Sequence, residues 1–301
     1  MTLPCRRTRR GTGPDPRCLG GAPGAGTRTN HEGRVAVIAR QNTSHSSAPD
    51  TSETGAALYL DLLERVVTNL IYEDDGIPNR YLPDGRFDLD RRQNGIDWPS
   101  VAHTMVGLKR VRNVRYCLER VLAEGVPGDF IETGVWRGGV CVFARGVLKA
   151  YGCTDRAVWV ADSFQGIPDT GPDGHHLDRA LALHEANHVL GVPLDVVRRN
   201  FQQYGLLDDQ VRFLPGWFRD TLPTAPMERL AVLRLDGDLY ESTTDALTNL
   251  YPKLSPGGFV IIDDFVIEAC AQAVHDFRQR AGVEEPLVAI DDGGVYWRRE
   301  N

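Results

Sequence analysis

The run LRLDGDLYEST, residues 233 to 243, ends an apolar, strand-like stretch in Asp236, Gly237 and Asp238. A second apolar run, GGFVIIDDF at 257 to 265, ends on Asp263 and Asp264. If the two strands are neighbours, these carboxylates converge on one rim, where unpaired they repel and raise one another's pKa. Hard oxygen donors with no His or Cys among them suit Mg²⁺, or Ca²⁺ or Mn²⁺, and disfavour zinc. The metal is then the compensating charge for Asp236, Asp263 and Asp264. The plainer alternative is that these acids cap the following helices, as DLYES can for a helix starting near Glu241.

The other strand ends are also polar. ETGVWRGG, residues 132 to 139, places Gly134 where a ligand can approach closely, and Gly138 and Gly139 open a helix whose first amides favour an anionic group. A second run ends in Asp162, about one strand-helix unit downstream, where an acid suits a ribose diol. A pyrophosphate needs the backbone to come close twice, and the second glycine of GxGxxG is missing. S-adenosylmethionine, which has no phosphate, fits that requirement. Glu132 then faces the amino-acid end of the cofactor, or is a satisfied acid at the edge of the core. A third run ends in LPGWF, so Gly216 is followed by Trp217 and Phe218, aromatics that wall an adenine or simply pack.

These ends must be held by something regular. Strand-like runs at 128–135, 157–164, 210–217, 230–238 and 257–265 alternate with helical stretches at 137–151, 178–204 (broken at 191–193), 241–253 and 267–281. Such alternation predicts an α/β fold with a parallel sheet covered by helices on both faces. The end differs, because PLVAIDDGGVYWRRE reads as two strands closed by an Asp-Asp-Gly-Gly turn. Upstream lie a helix whose apolar period runs through Leu58, Leu62, Leu63, Val66, Val67 and Leu70, and another from Ser100 to Gly125. Between them, the charged stretch 74–97 is too long for an ordinary connection and is a candidate lid. The loop at 165–176 is another.

Composition sets outer limits. The chain of 301 residues is 42% hydrophobic, enough to bury a full core. A formal net charge of −7 argues against nucleic acid or an anionic membrane as a partner held by bulk charge. No apolar run approaches the roughly 18 residues of a membrane span. Residues 1 to 55 are rich in Arg, Gly, Pro, Ser and Thr and read as a disordered tail, with the folded domain over 56–301. That domain divides into a helical part at 56–125 and a Rossmann-like core at 126–301. The six cysteines show no CxxC spacing and read as reduced thiols of a cytoplasmic protein.

Taken together, ETGVWRGG, ADSFQGIP, GWFRDTLP, HTMVGLKR and the long block from LRLDGDLYEST to GGFVIIDDF resemble the macrocin O-methyltransferase family over about residues 56 to 300. The resemblance implies a class I methyltransferase fold, with a seven-stranded sheet whose last strand is antiparallel. It also implies S-adenosylmethionine, Mg²⁺, a glycosylated small-molecule acceptor from antibiotic biosynthesis and a homo-oligomer. Matched by motif, Asp236, Asp263 and Asp264 correspond to metal ligands and Asp238 to a general base. Thr104, Met105, Glu132, Thr133, Gly134, Asp162, Ser163, Gly216, Trp217, Phe218 and Asp236 correspond to the cofactor site. The two-residue strand period points Asp238 the same way as Asp236, where it can take a proton from a sugar hydroxyl. The DxD spacing also occurs in phosphatases and metal-dependent glycosyltransferases, and a protein that only binds the cofactor is a further alternative. Neither enzyme alternative explains ETGVWRGG followed by ADSF, and binding alone does not require all four of Asp236, Asp238, Asp263 and Asp264.

Overall fold

The structure, a computed structural model, describes residues 51 to 79 and 82 to 300. The tail expected over residues 1 to 55 therefore lies, for its first 50 residues, outside the described part. Helix α1 spans Thr51–Val67, starting before the expected domain boundary. Its buried face is Leu60, Leu63, Glu64 and Val67, whereas Leu58 and Leu62 point outward, so the apolar stripe is rotated from the one expected.

Seven strands form one sheet in the order β3-β2-β1-β4-β5-β7-β6. They are β1 Asp129–Thr133, β2 Val158–Asp162, β3 Val211–Pro215, β4 Leu230–Leu235, β5 Leu254–Ile262, β6 Val288–Ala289 and β7 Val295–Arg298. The first five pair in parallel, and β7 runs antiparallel to β5 and to β6, as expected for the reversed end of the sheet. Every residue of β4 is buried, which is why it reads as an unbroken apolar run rather than an alternating one.

Helix α2 is Leu89–Asn94, α3 Gly107–Ala123, α4 Gly139–Ala150, α5 His176–Leu181, α6 Asn187–Leu190 and α7 Leu194–Gln203. They are followed by α8 Phe218–Thr221, α9 Tyr240–Leu250 and α10 Glu268–Ala281. One face of the sheet packs side chains of α1, α3, α4 and α7, among them Leu63, Val114, Phe143 and Val197. The other packs α9 and α10 through Leu247, Val274 and Phe277. Residues 178–204, expected as a helix with one break, are instead α5, a 3₁₀ turn, α6 and α7. Ala182 takes a left-handed φ of 48° and ends the first helix after one turn and a half.

The stretch 74–97 is not the solvated loop its charge suggests. Arg92, 1% exposed, bridges Asp74 at 2.8 Å and Asp97 at 2.8 Å and donates to the Thr68 carbonyl, so the charged residues turn inward and pin the segment. Asp88 caps α2 by accepting from the Arg91 amide, and Gly95 closes the helix in a left-handed conformation. Among the described residues Cys117, Cys141, Cys153 and Cys270 are free thiols. No described helix is long and apolar enough to cross a membrane.

Candidate active site

Strand register brings the functional ends into one row. Ala161, Thr133, Leu235 and Ile262 are register partners across β2, β1, β4 and β5. The next residue of each strand is Asp162, Gly134, Asp236 and Asp263. The ladder runs one step further, since the Gly134 amide donates to Ala161, Asp236 to Thr133 and Asp263 to Leu235, each at 2.9 Å. A cavity of about 400 Å³ opens above this row, at the carboxyl ends of the strands where α/β sheets bind ligands.

Of the residues expected in the site, Met105, Gly134, Asp162, Ser163, Trp217, Phe218, Asp236, Asp238, Asp263 and Asp264 line the cavity. Glu132, Thr133, Thr104 and Gly216 lie behind its wall. Glu132 is 1% exposed and bonded to Arg234 and the Cys141 thiol, so it faces away from the space it was expected to border. Thr104 is buried against Gly139, and Thr133 is 1% exposed. Gly216 supports the wall by donating to the Asp162 carbonyl at 2.9 Å.

Two expected reasons change as well. Gly134 is glycine because a Cβ there would stand 1.8 Å from the Asp236 carbonyl oxygen, so the close approach is to the next strand. The first amide of α4 is not open to an anion, because Gly139 donates to the His103 carbonyl at 2.9 Å.

The acids are partly neutralised from below. Arg234, wholly buried, bridges Glu132, Asp236 at 2.8 Å and Asp263. Arg110, from the first turn of α3, bridges Asp263's other oxygen and Asp291 at 2.9 Å. The expectation that a metal alone compensates these carboxylates is therefore corrected. Arg234 stands in the open within LRLDGD, and a charged residue inside an otherwise apolar strand was the available signal. Arg110 in GLKRVRN had none.

The remaining imbalance is still large. Burial, then the charge of Asp263, pushes Asp236 up to about 6 against the pull of Arg234. Burial, then Asp236 and Asp263, pushes Asp238 up to about 7. Asp264 is driven well above the usual carboxylate range by burial and by Asp238. Ligand oxygens of Asp236, Asp263 and Asp264 lie within 4.8 Å of one another. Three hard donors this close, with negative charge in excess of the two guanidinium groups, fit a divalent cation such as Mg²⁺.

Asp238 reaches the cavity by a route other than strand period. β4 ends at Leu235, and Asp238 sits beyond it at φ 57°, its amide donating to Asp264 at 3.0 Å. The helix-cap alternative also fails. The first amides of α9, from Tyr240 and Glu241, are taken by Asp178 of α5 at 2.6 and 3.1 Å, which leaves Asp236 and Asp238 to the cavity.

On the β1–β2 side, Asp162 accepts the amides of Val135 at 2.8 Å and Phe164 at 2.7 Å, so it braces the glycine loop while facing the cavity. The Ser163 hydroxyl also donates to its Oδ1, at 3.4 Å. Trp136, missed from the sequence, joins this wall with its indole N–H held by the Val189 carbonyl at 3.0 Å. The excess of carboxylates on the cavity wall suits a cationic sulfonium, and the aromatic pair Trp217 and Phe218 suits a purine.

The family model for macrocin O-methyltransferase matches residues 56–299. The chain belongs to the macrocin O-methyltransferase family. It is 64% identical over 247 residues to the 8-demethyl-8-(2,3-dimethoxy-alpha-L-rhamnosyl)-tetracenomycin-C 4'-O-methyltransferase of Streptomyces olivaceus, covering 82% of this chain and 94% of that one. It is 58% identical over 248 residues to the mycinamicin III 3''-O-methyltransferase of Micromonospora griseorubida, covering 82% and 98%. The solved O-methyltransferase NovP superposes with a TM-score of 0.78 at 55% identity, covering 82% of this chain and all of that one. This member of the macrocin O-methyltransferase family is thus an S-adenosylmethionine-dependent O-methyltransferase with the class I fold. The phosphatase, glycosyltransferase and binding-only alternatives fall away.

Proposed function

We propose that this methyltransferase methylates a sugar hydroxyl of a glycosylated natural product in antibiotic biosynthesis, with Mg²⁺ held by Asp236, Asp263 and Asp264. The observation that carries this reading is the convergence of those carboxylates with Asp238 on one cavity, in a family whose near relatives are named for glycosylated acceptors. Gly134, Asp162, Ser163, Trp217 and Phe218 hold the cofactor, with Met105 toward its reacting end. Thr104, Glu132, Thr133 and Gly216 shape the same wall from behind. When bound, S-adenosylmethionine supplies an electrophilic methyl group and the cation a Lewis acid that acidifies a nearby hydroxyl.

The protein's own part is to place and deprotonate. Asp238, poised near neutral pH, takes the proton from the acceptor hydroxyl at its carboxylate. Its backbone amide, tied to Asp264, fixes that carboxylate relative to the cation ligands. Trp98, Ile167, Pro168 and Leu183 give the far wall an apolar character that suits the aglycone and keeps water from the reacting atoms. The homo-oligomer and cytoplasmic location belong to the same proposal. Light scattering tests the first, and the outward-facing Leu58 and Leu62 are apolar surface for it.

The test is methyl transfer from S-adenosylmethionine to the rhamnosylated tetracenomycin named for the Streptomyces olivaceus relative, with Mg²⁺ or with EDTA. Turnover that EDTA abolishes and Mg²⁺ restores is expected. Turnover indifferent to EDTA removes the cation from the proposal, and no transfer to any glycosylated acceptor removes the substrate class.

A further inference from the structure

The Asp-Asp-Gly-Gly turn between β6 and β7 does more than close a hairpin. Asp291, with a side chain 3% exposed, accepts the amides of Gly293 and Gly294 through Oδ1, both at 2.8 Å. Its Oδ2 accepts Arg110 Nε–H at 2.9 Å. A Cβ at Gly293 would fall 2.3 Å from Arg110 Nη2, and one at Gly294 3.4 Å from Nε. The two glycines are the seat on which the guanidinium lies. The same turn takes the Val266 amide on the Gly293 carbonyl at 3.0 Å, so it also fixes the loop that follows Asp264. Arg110 in turn holds Oδ2 of Asp263, while Arg234 holds Oδ1.

We propose that Asp291 is a positioning residue for the divalent cation: by seating Arg110 and sharing its charge, it keeps Asp263 available as a ligand without facing the cation itself. The inference rests on the metal reading above. Arg110 divides one positive charge between two carboxylates. Without the Asp291 charge, the guanidinium bears on Asp263 alone and competes with a cation at short range, where solvent screens little. The net charge around the site also becomes one unit less negative.

The test is Mn²⁺ binding to the full-length protein, read from the free-ion electron paramagnetic resonance signal with no cofactor or acceptor present. Asp291→Asn keeps the shape and the acceptor for the glycine amides, and is expected to weaken Mn²⁺ at least tenfold. The double variant Asp291→Asn, Arg110→Gln removes both charges and is expected to return within threefold of wild type. Asp291→Glu keeps the charge, is also expected within threefold, and serves if the Asn variant does not fold. S-adenosylmethionine affinity by calorimetry stays within twofold throughout.

Unchanged Mn²⁺ affinity in Asp291→Asn overturns the inference. So does a double variant as weak as the single one, or a tenfold loss in Asp291→Glu, because both mean that the turn acts only as structure. Wild-type protein that binds no Mn²⁺ overturns the metal reading and this inference together, which separates the two failures.

Discussion

At the scale of single residues the site is defined by what each carboxylate is already doing. Asp263 is engaged by two guanidinium groups, Asp162 by amides of its own loop and of Val135, and Glu132 by Arg234, whereas among the described residues Asp238 is held through its backbone amide. A left-handed φ on a non-glycine residue costs about 1 kcal/mol, and Asn tolerates it nearly as well as Asp. Asp238→Asn is therefore expected to fold and to bind S-adenosylmethionine as wild type does, with turnover reduced about a hundred- to ten-thousand-fold. Turnover within tenfold of wild type takes the base role away from Asp238. Gly134 is a different case, since its role lies in the sheet. Ala there sets a methyl 1.8 Å from the Asp236 carbonyl at φ 88°, and a loss of at least about 3 kcal/mol is expected in urea unfolding. A loss under about 1 kcal/mol would mean that the ends of β1 and β4 separate easily.

At the scale of elements, the strands were legible and the segments between them less so. Buried parallel strands such as AVLRL announce themselves by apolar runs, and their ends by the first acids. The helix of 74–97 and the break at Ala182 have no such signal, because Arg92, Asp74 and Asp97 look solvated until the fold pairs them. That pairing has a pH signature. Burial raises the pKa of Asp74, but the Val101 amide, Arg92 and Asn69 together outweigh it and hold the carboxyl below its ordinary range. A folded pKa below the unfolded one adds stability above the unfolded value, about 3.9, that is lost as pH falls through the folded value. Asp74→Asn is expected to lower stability at pH 7 by about 1 kcal/mol, since Arg92 keeps Asp97, and to flatten its decline below about pH 4. Unfolding curves at pH 7 and pH 3 that keep the wild-type difference would show that Asp74 contributes nothing to the acid response.

At the scale of the whole molecule, the sheet brings the acids of β4 and β5 under one cavity, and segments outside the sheet, among them Trp98, Ile167, Leu183 and Leu190, line the rest of it. The parallel core and the terminal hairpin were legible from the alternation and the turn residues, whereas the strand order β3-β2-β1-β4-β5-β7-β6 was not. Of the two cations beneath the acids, Arg110 was not legible either, since it meets them only in three dimensions: it comes from α3, and its partner Asp291 lies 181 residues away in sequence. The same holds for the apolar wall. Trp98 follows the pinned segment, whereas Leu183 belongs to the turn between α5 and α6, and the two face the same cavity. On the proposed function, this wall borders the acceptor, and Gly134, Asp162 and Trp217 border the cofactor. Trp98→Ala removes a large aromatic surface from it and is expected to raise KM for the rhamnosylated acceptor about tenfold, with S-adenosylmethionine affinity within twofold. If the cofactor's affinity falls by as much as the acceptor's, the wall borders both ligands and cannot be where acceptors are told apart. If only KM for the acceptor moves, the segments carrying Trp98 and Leu183 read the aglycone while the strand ends perform the transfer, and specificity can change without disturbing the row of residues that the sheet register sets.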